Sequence, residues 1–119
     1  MSQHEKIHAT TVVLTAAVTA HRFVGYDGAH ATSAGGAHDA IGVSETGGDA
    51  GEAISVITTW SAVVEAGGAV PKGAFVKPDT SGRAITGATD ETCGRALEAA
   101  AMAGDLIEVE IYRHVHAAE

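Results

Sequence analysis

The stretch that most constrains this chain runs over residues 65–112. It reads Glu65-Ala-Gly-Gly-Ala-Val-Pro-Lys-Gly-Ala-Phe-Val-Lys-Pro-Asp-Thr-Ser-Gly-Arg-Ala-Ile85, then Cys93-Gly-Arg-Ala-Leu-Glu98, then Ala103-Gly-Asp-Leu-Ile-Glu-Val-Glu-Ile-Tyr112. Short apolar runs alternate with glycine-marked turns, which is how a small all-β domain punctuates itself. A Gly-Arg-Ala-apolar element occurs twice, at residues 82–85 and 94–97. No stretch offers the long apolar periodicity of an amphipathic helix.

The rest of the chain follows the same idiom. Residues 7–14 are β-rich, with Thr10, Thr11, Val12 and Val13 in a row. Phe23-Val-Gly-Tyr26 reads as a short strand, closed by the hairpin signal Asp27-Gly28. Residues 29–40 are rich in Ala, Gly, Ser, Thr and His and suit a surface loop. Ile41-Gly-Val-Ser44 reads as a strand whose glycine admits another backbone. Residues 52–60 alternate, which places Ile54, Val56, Thr58 and Trp60 on one face. Pro78 should end the run Phe75-Val76. In the last strand Ile107, Val109 and Ile111 face one way and Glu108 and Glu110 the other, giving one wet face. Residues 93–102 admit two readings: a strand at 95–99 with a turn near 101–105, or a short alanine-rich helix.

At 119 residues a single domain is expected. The apolar fraction of 45% is largely alanine, while Ile, Leu, Val and Phe together number 24. That is close to the level at which a chain struggles to fold alone, so self-association or docking onto a partner is expected. The net charge of −8 comes from 15 acidic residues against 7 Lys and Arg, and no basic cluster exists. Direct nucleic-acid binding is therefore not expected, and no apolar run approaches the roughly 20 residues of a membrane span. The polar start, Met1-Ser-Gln-His-Glu-Lys6, does not read as a signal peptide, so synthesis in a cytoplasm is expected. Cys93 is the only cysteine, which excludes an intrachain disulfide.

Candidate chemistry is sparse. His4 and His8 are spaced i,i+4, and His114 and His116 form His-x-His. No Cys pair or His-Glu-x-x-His element joins them, and no metal site is expected. No serine sits in a nucleophile elbow. The glycine run Gly47-Gly-Asp-Ala-Gly51 lacks the Lys-Ser/Thr ending of a phosphate loop. No catalytic residues, cofactor or enzyme activity are expected. Trp60, the only tryptophan, reads either as an edge-packing core residue or as an interface anchor.

In their order, these elements resemble the small capsid decoration, or cement, proteins of tailed bacteriophages. The matching residues are Arg22-Phe-Val-Gly-Tyr-Asp-Gly28, Ala40-Ile-Gly-Val-Ser-Glu45, Ala50-Gly-Glu52 leading to Ile54-Ser-Val56, and Val64-Glu-Ala-Gly-Gly68. They continue with Lys72-Gly73 before Phe75-Val76, Asp79 with Ser81-Gly-Arg-Ala84, Gly94-Arg-Ala-Leu97, and Ala103-Gly-Asp105 before Ile107-Glu-Val109. The chain departs from the pattern around Trp60, near which a glycine would be expected, as in Thr-x-Gly before the next strand.

The expected fold is mainly β: a small compact β-barrel, β-tulip or jelly-roll-like domain with long loops. Residues 1–9 would form an extended N-terminal arm and residues 10–119 the single β domain. The resemblance implies a structural virion protein made in the bacterial cytoplasm. It would bind the outer capsid surface and stabilise the capsid by bridging major capsid protein subunits. It would do so as a homotrimer, or failing that a dimer, with no contact to nucleic acid or membrane. Ile7, His8, Thr10, Val12 and Trp60 are the candidate capsid or subunit contacts. The arm would pair with an exposed strand edge. A small ligand- or metal-binding β-barrel is the rival class, and its pocket would need more aromatics than the 4% present.

Overall fold

The computed structural model describes residues 9–31, 40–87 and 92–111. These residues form strands, turns and loops and contain no helix. The strands are β1 (Ala9–Val13), β2 (Phe23–Gly25), β3 (Ala40–Ser44), β4 (Ala53–Ile57), β5 (Trp60–Glu65), β6 (Phe75–Pro78), β7 (Ala84–Thr86), β8 (Gly94–Ala96) and β9 (Leu106–Ile111). They build two antiparallel sheets, ordered β1-β4-β3-β2 and β5-β9-β8-β6-β7.

The first sheet is apolar on both faces. Phe23, Val43 and Ile57 face the second sheet and join its core. Val24, Ile54 and Val56 face the other way, onto Leu14 and Val18. A bulge makes this possible in β3. Val24 opposes Gly42 while Gly25 opposes Ala40, so Ile41 is the extra residue. Ala40 and Val43 thereby point into one core and Ile41 against the other. Gly42 sits where a Cβ would lie 2.1 Å from the Ile57 carbonyl oxygen. The close backbone approach expected there is present.

The second sheet curls toward closure. Ala66, just past β5, bridges to Ala84 in β7, and the Gly67 N–H donates to the Ala84 carbonyl at 2.8 Å. Val64, Val76, Val109 and Ile107 fill the interior, with Ala62, Ala66, Ala84 and Ala96 between them. Small residues suit a curled sheet this narrow. Both copies of the Gly-Arg-Ala element turn their alanine, Ala84 or Ala96, into this interior. The arginines differ. Arg83 pairs with Asp79 at 2.9 Å, whereas Arg95 lies over the Phe75 ring at 4.8 Å.

The segment before β2 stitches the sheets together. The Glu65 N–H donates to the His21 carbonyl at 2.9 Å, and the Phe23 N–H donates to the Gly82 carbonyl at 2.8 Å. The half-buried Arg22 guanidinium reaches Glu65 Oε1 at 2.9 Å from Nη2 and the Ser81 carbonyl at 3.0 Å from Nη1.

Two sequence expectations are corrected. Residues 52–60 are not one strand: β4 ends at Ile57, and Trp60 opens β5 in the other sheet. Trp60 therefore does not share a face with Ile54 and Val56. Residues 95–99 are not all strand either. β8 stops at Ala96, because the backbone turns to place the Glu98 carboxylate on the Glu108 N–H at 2.8 Å. The alternative helix does not form there. Ala100 instead bridges to Val70.

Candidate functional site

Trp60 has φ of 79°, in the left-handed region that glycine adopts freely and an L-residue adopts at a cost. The resemblance had led to a glycine being expected near this position, and the backbone at Trp60 takes the shape that a glycine would. The residue is 68% exposed. An aromatic in a strained backbone and mostly in solvent is not a core residue.

Trp60 begins an edge strand. Among the described residues β5 pairs with β9 alone, in the register Trp60 to Ile111, Ser61 to Glu110, Val63 to Glu108 and Glu65 to Leu106. The Glu65 N–H leaves the sheet to reach His21. By alternation, the backbone groups of Ser61 and Val63 also point away from β9. The edge is thus open near Trp60 and closed at Glu65.

A concavity lies on each side of this edge. On the outer face of the sheet, Trp60, Ser61, Leu97, Glu108 and Glu110 line a groove of about 280 Å³. Glu108 accepts the Ser61 hydroxyl at 2.7 Å, and Glu110 is exposed. Val63 and Leu106, both exposed, extend its apolar border. On the inner side, where the two sheets part, His21, Val43, Ser44, Glu45, Ile57, Ala62 and Val63 line a cleft of about 160 Å³. Its floor is aliphatic and its rim polar.

Of the sequence candidates, Thr10 and Val12 lie on β1, the edge of the first sheet, opposite Val56 and Ile54. Both are half-buried, and Val12 packs against the Leu14 and Val18 cluster. Ala9 pairs with Ile57, which also lines the cleft. Ile7 and His8 lie outside the described residues. Leu97, Glu108 and Glu110 were not singled out as site residues, although strand alternation had assigned the two glutamates to a wet face.

Other reactive groups are structural in setting. Burial pushes the Cys93 thiol up to about 12, which leaves it protonated and unreactive. His30 is held below 6.5, first by burial and then by Arg22, with Asp79 opposing. Its Nε2 accepts the Thr19 N–H at 3.0 Å. Among the described residues no three His, Cys, Asp or Glu side chains gather as metal ligands. His4, His8, His38, His114 and His116 lie outside those residues. None of the described segments is a helix long and apolar enough to cross a membrane.

These features define an all-β module with an open, aromatic-bearing strand edge. The family model described as phage cement protein matches residues 2–111, and the chain belongs to that family. It is a structural phage protein associated with the virion capsid. Among solved structures it is similar to the N base of head fiber gp8.5 of bacteriophage phi29. That match has a TM-score of 0.73 at 20% identity and covers 93% of this chain and 98% of the other. At that identity the likeness speaks for the fold. No curated protein sequence matches the chain.

Proposed function

We propose that this protein binds the outer surface of an assembled capsid and stabilises it by bridging neighbouring major capsid protein subunits. The observation that carries the reading is membership of the cement family over residues 2–111. The thin core and the exposed Trp60 edge support it, because both call for a partner. The role is structural, without catalysis. Val64, Val76 and Val109, each fully buried, fill the curled sheet, which argues against a ligand-binding lumen. The protein acts as a small homo-oligomer, a trimer ahead of a dimer. Repetition over a shell then lets weak single contacts add up.

The stabilising effect is linkage. A protein that binds the assembled shell and not loose subunits favours the shell. The test uses expanded, DNA-filled capsids of the encoding phage, made without this protein. Added protein should co-sediment with them and raise their resistance to heat and osmotic shock. Sedimentation of the free protein at micromolar concentration reports its oligomeric state. Absence of binding to these capsids would sink the reading.

A further inference from the structure

We propose that the open edge of β5 receives an extended segment of the capsid partner, with basic side chains on one side and apolar ones on the other. This rests on the cement reading for the partner and on the geometry of β5 for its chemistry.

Three observations converge. First, Ser61 and Val63 direct backbone donors and acceptors away from β9, so a strand added there finds hydrogen-bonding partners. Secondly, side chains of such a strand alternate between the two faces of the sheet. Those on the outer side lie beside Ser61 and Val63, where a long side chain reaches Trp60 and, across β5, Glu108 and Glu110, while those on the inner side meet Val43, Ile57 and Ala62. An aromatic face beside two carboxylates suits a lysine or arginine, through ring attraction and ion pairing. An aliphatic floor in a cleft of about 160 Å³ suits an apolar side chain such as valine. Thirdly, the charge selects the occupant. The chain carries −8, and Glu108 and Glu110 line this groove, while Arg95, the cross-strand neighbour of Glu110, is turned to the Gly73 carbonyl and the Phe75 ring. A second copy would bring like charge to like, whereas a basic segment is drawn in. The exposure and strain at Trp60 then have a purpose. The left-handed turn lifts the ring to the mouth of the groove.

The experiment uses the full chain and two readouts. Trp60 is the only tryptophan, so its emission reports directly on the groove. Short synthetic peptides alternating lysine with valine, or glutamate with valine, are the probes. The lysine peptide should shift the emission to the blue, bind more weakly as salt rises, and compete with capsids for the protein. The glutamate peptide should do none of these. Val63→Pro blocks the outward edge while leaving the hydrogen bonds to β9, because the Val63 N–H points away from it. The double variant Glu108→Gln with Glu110→Gln keeps shape and removes charge. Each should weaken peptide and capsid binding about tenfold or more, a loss of about 1.4 kcal/mol. Circular dichroism should show both variants folded.

If wild-type protein binds capsids while neither variant loses affinity and the lysine peptide does not compete, the β5 proposal is overturned and the cement reading stands. If the lysine peptide binds at β5 but no capsid does, the cement reading fails and the β5 chemistry survives. If the peptide binds only after residues 1–8 are removed, the edge belongs to the chain's own N-terminus and the proposal is overturned.

Discussion

Replacing Trp60 by glycine and, separately, by alanine isolates the backbone conformation that lifts this ring off the sheet. Both variants lose the indole, so its contacts cancel in the comparison. They differ in the Cβ. At φ of 79° an L-residue is disfavoured by about 1–2 kcal/mol, and glycine is not. Glycine gives back roughly 0.5–1 kcal/mol through the greater freedom of its unfolded chain. The difference leaves Trp60→Gly more stable than Trp60→Ala by about 0.75 kcal/mol at the middle of the two ranges. At an ordinary strand position the order is reversed by a similar amount. For a domain of this size the gap corresponds to roughly 2–4 °C in Tm. Thermal unfolding followed by circular dichroism, on both variants at one protein concentration, measures it. An alanine variant as stable as the glycine variant, or more so, would refute the strained geometry. The reasoning about why the ring is exposed would fall with it.

Three further outcomes are expected. Gly42→Ala would press a methyl against the Ile57 carbonyl, 2.1 Å from the ideal Cβ, and should cost about 3 kcal/mol or more in urea unfolding. Arg22→Met and Glu65→Gln, taken singly and together, should show a coupling of about 1–2 kcal/mol, because the pair is largely shielded and joins the two sheets. His30 should make stability fall on acidification. Its folded pKa lies below the unfolded 6.5, so its contribution is full above pH 6.5 and is lost as the pH drops through the folded value. Protonation also ends its acceptance of the Thr19 N–H. His30→Gln should flatten the pH dependence of Tm between pH 7 and roughly pH 5, where an ordinary histidine completes its titration.

The strands themselves were legible because their signals are local. The alternation in β9, the turn at Asp27-Gly28 and the glycine inside β3 all report on neighbouring residues. The β-rich run 7–14 falls on β1 over its described part. What escaped is set by distant partners. The bulge at Ile41 follows from pairing with β2. The corner between Ile57 and Trp60 exists because the chain passes from one sheet to the other there. Alternation continued through that corner without a mark, and so the face assigned to Trp60 was wrong. β8 ends early because Glu98 caps a backbone donor of β9, a contact that no window of nearby residues contains. The site was half legible. Trp60 stood out as a tryptophan near which a glycine was expected. The open edge and its two concavities depend on which strand β5 lacks as a neighbour, and that is a property of the assembled sheet.

The location of the strain bears on function. Natural chains keep backbone strain where something else requires it. Trp60 does not stabilise the core, since it lies mostly in solvent, and glycine would serve the turn better. In a domain with few large aliphatic residues a cost of about 1–2 kcal/mol is a large share of a marginal stability. Such a residue makes sense if the cost is offset in the bound state. Covering the ring removes apolar surface from water, worth about 25 cal/mol per Å². Covering roughly 100 Å² of it would outweigh the strain. Free protein should therefore be less stable than its fold permits, and docked protein more so than its own core explains.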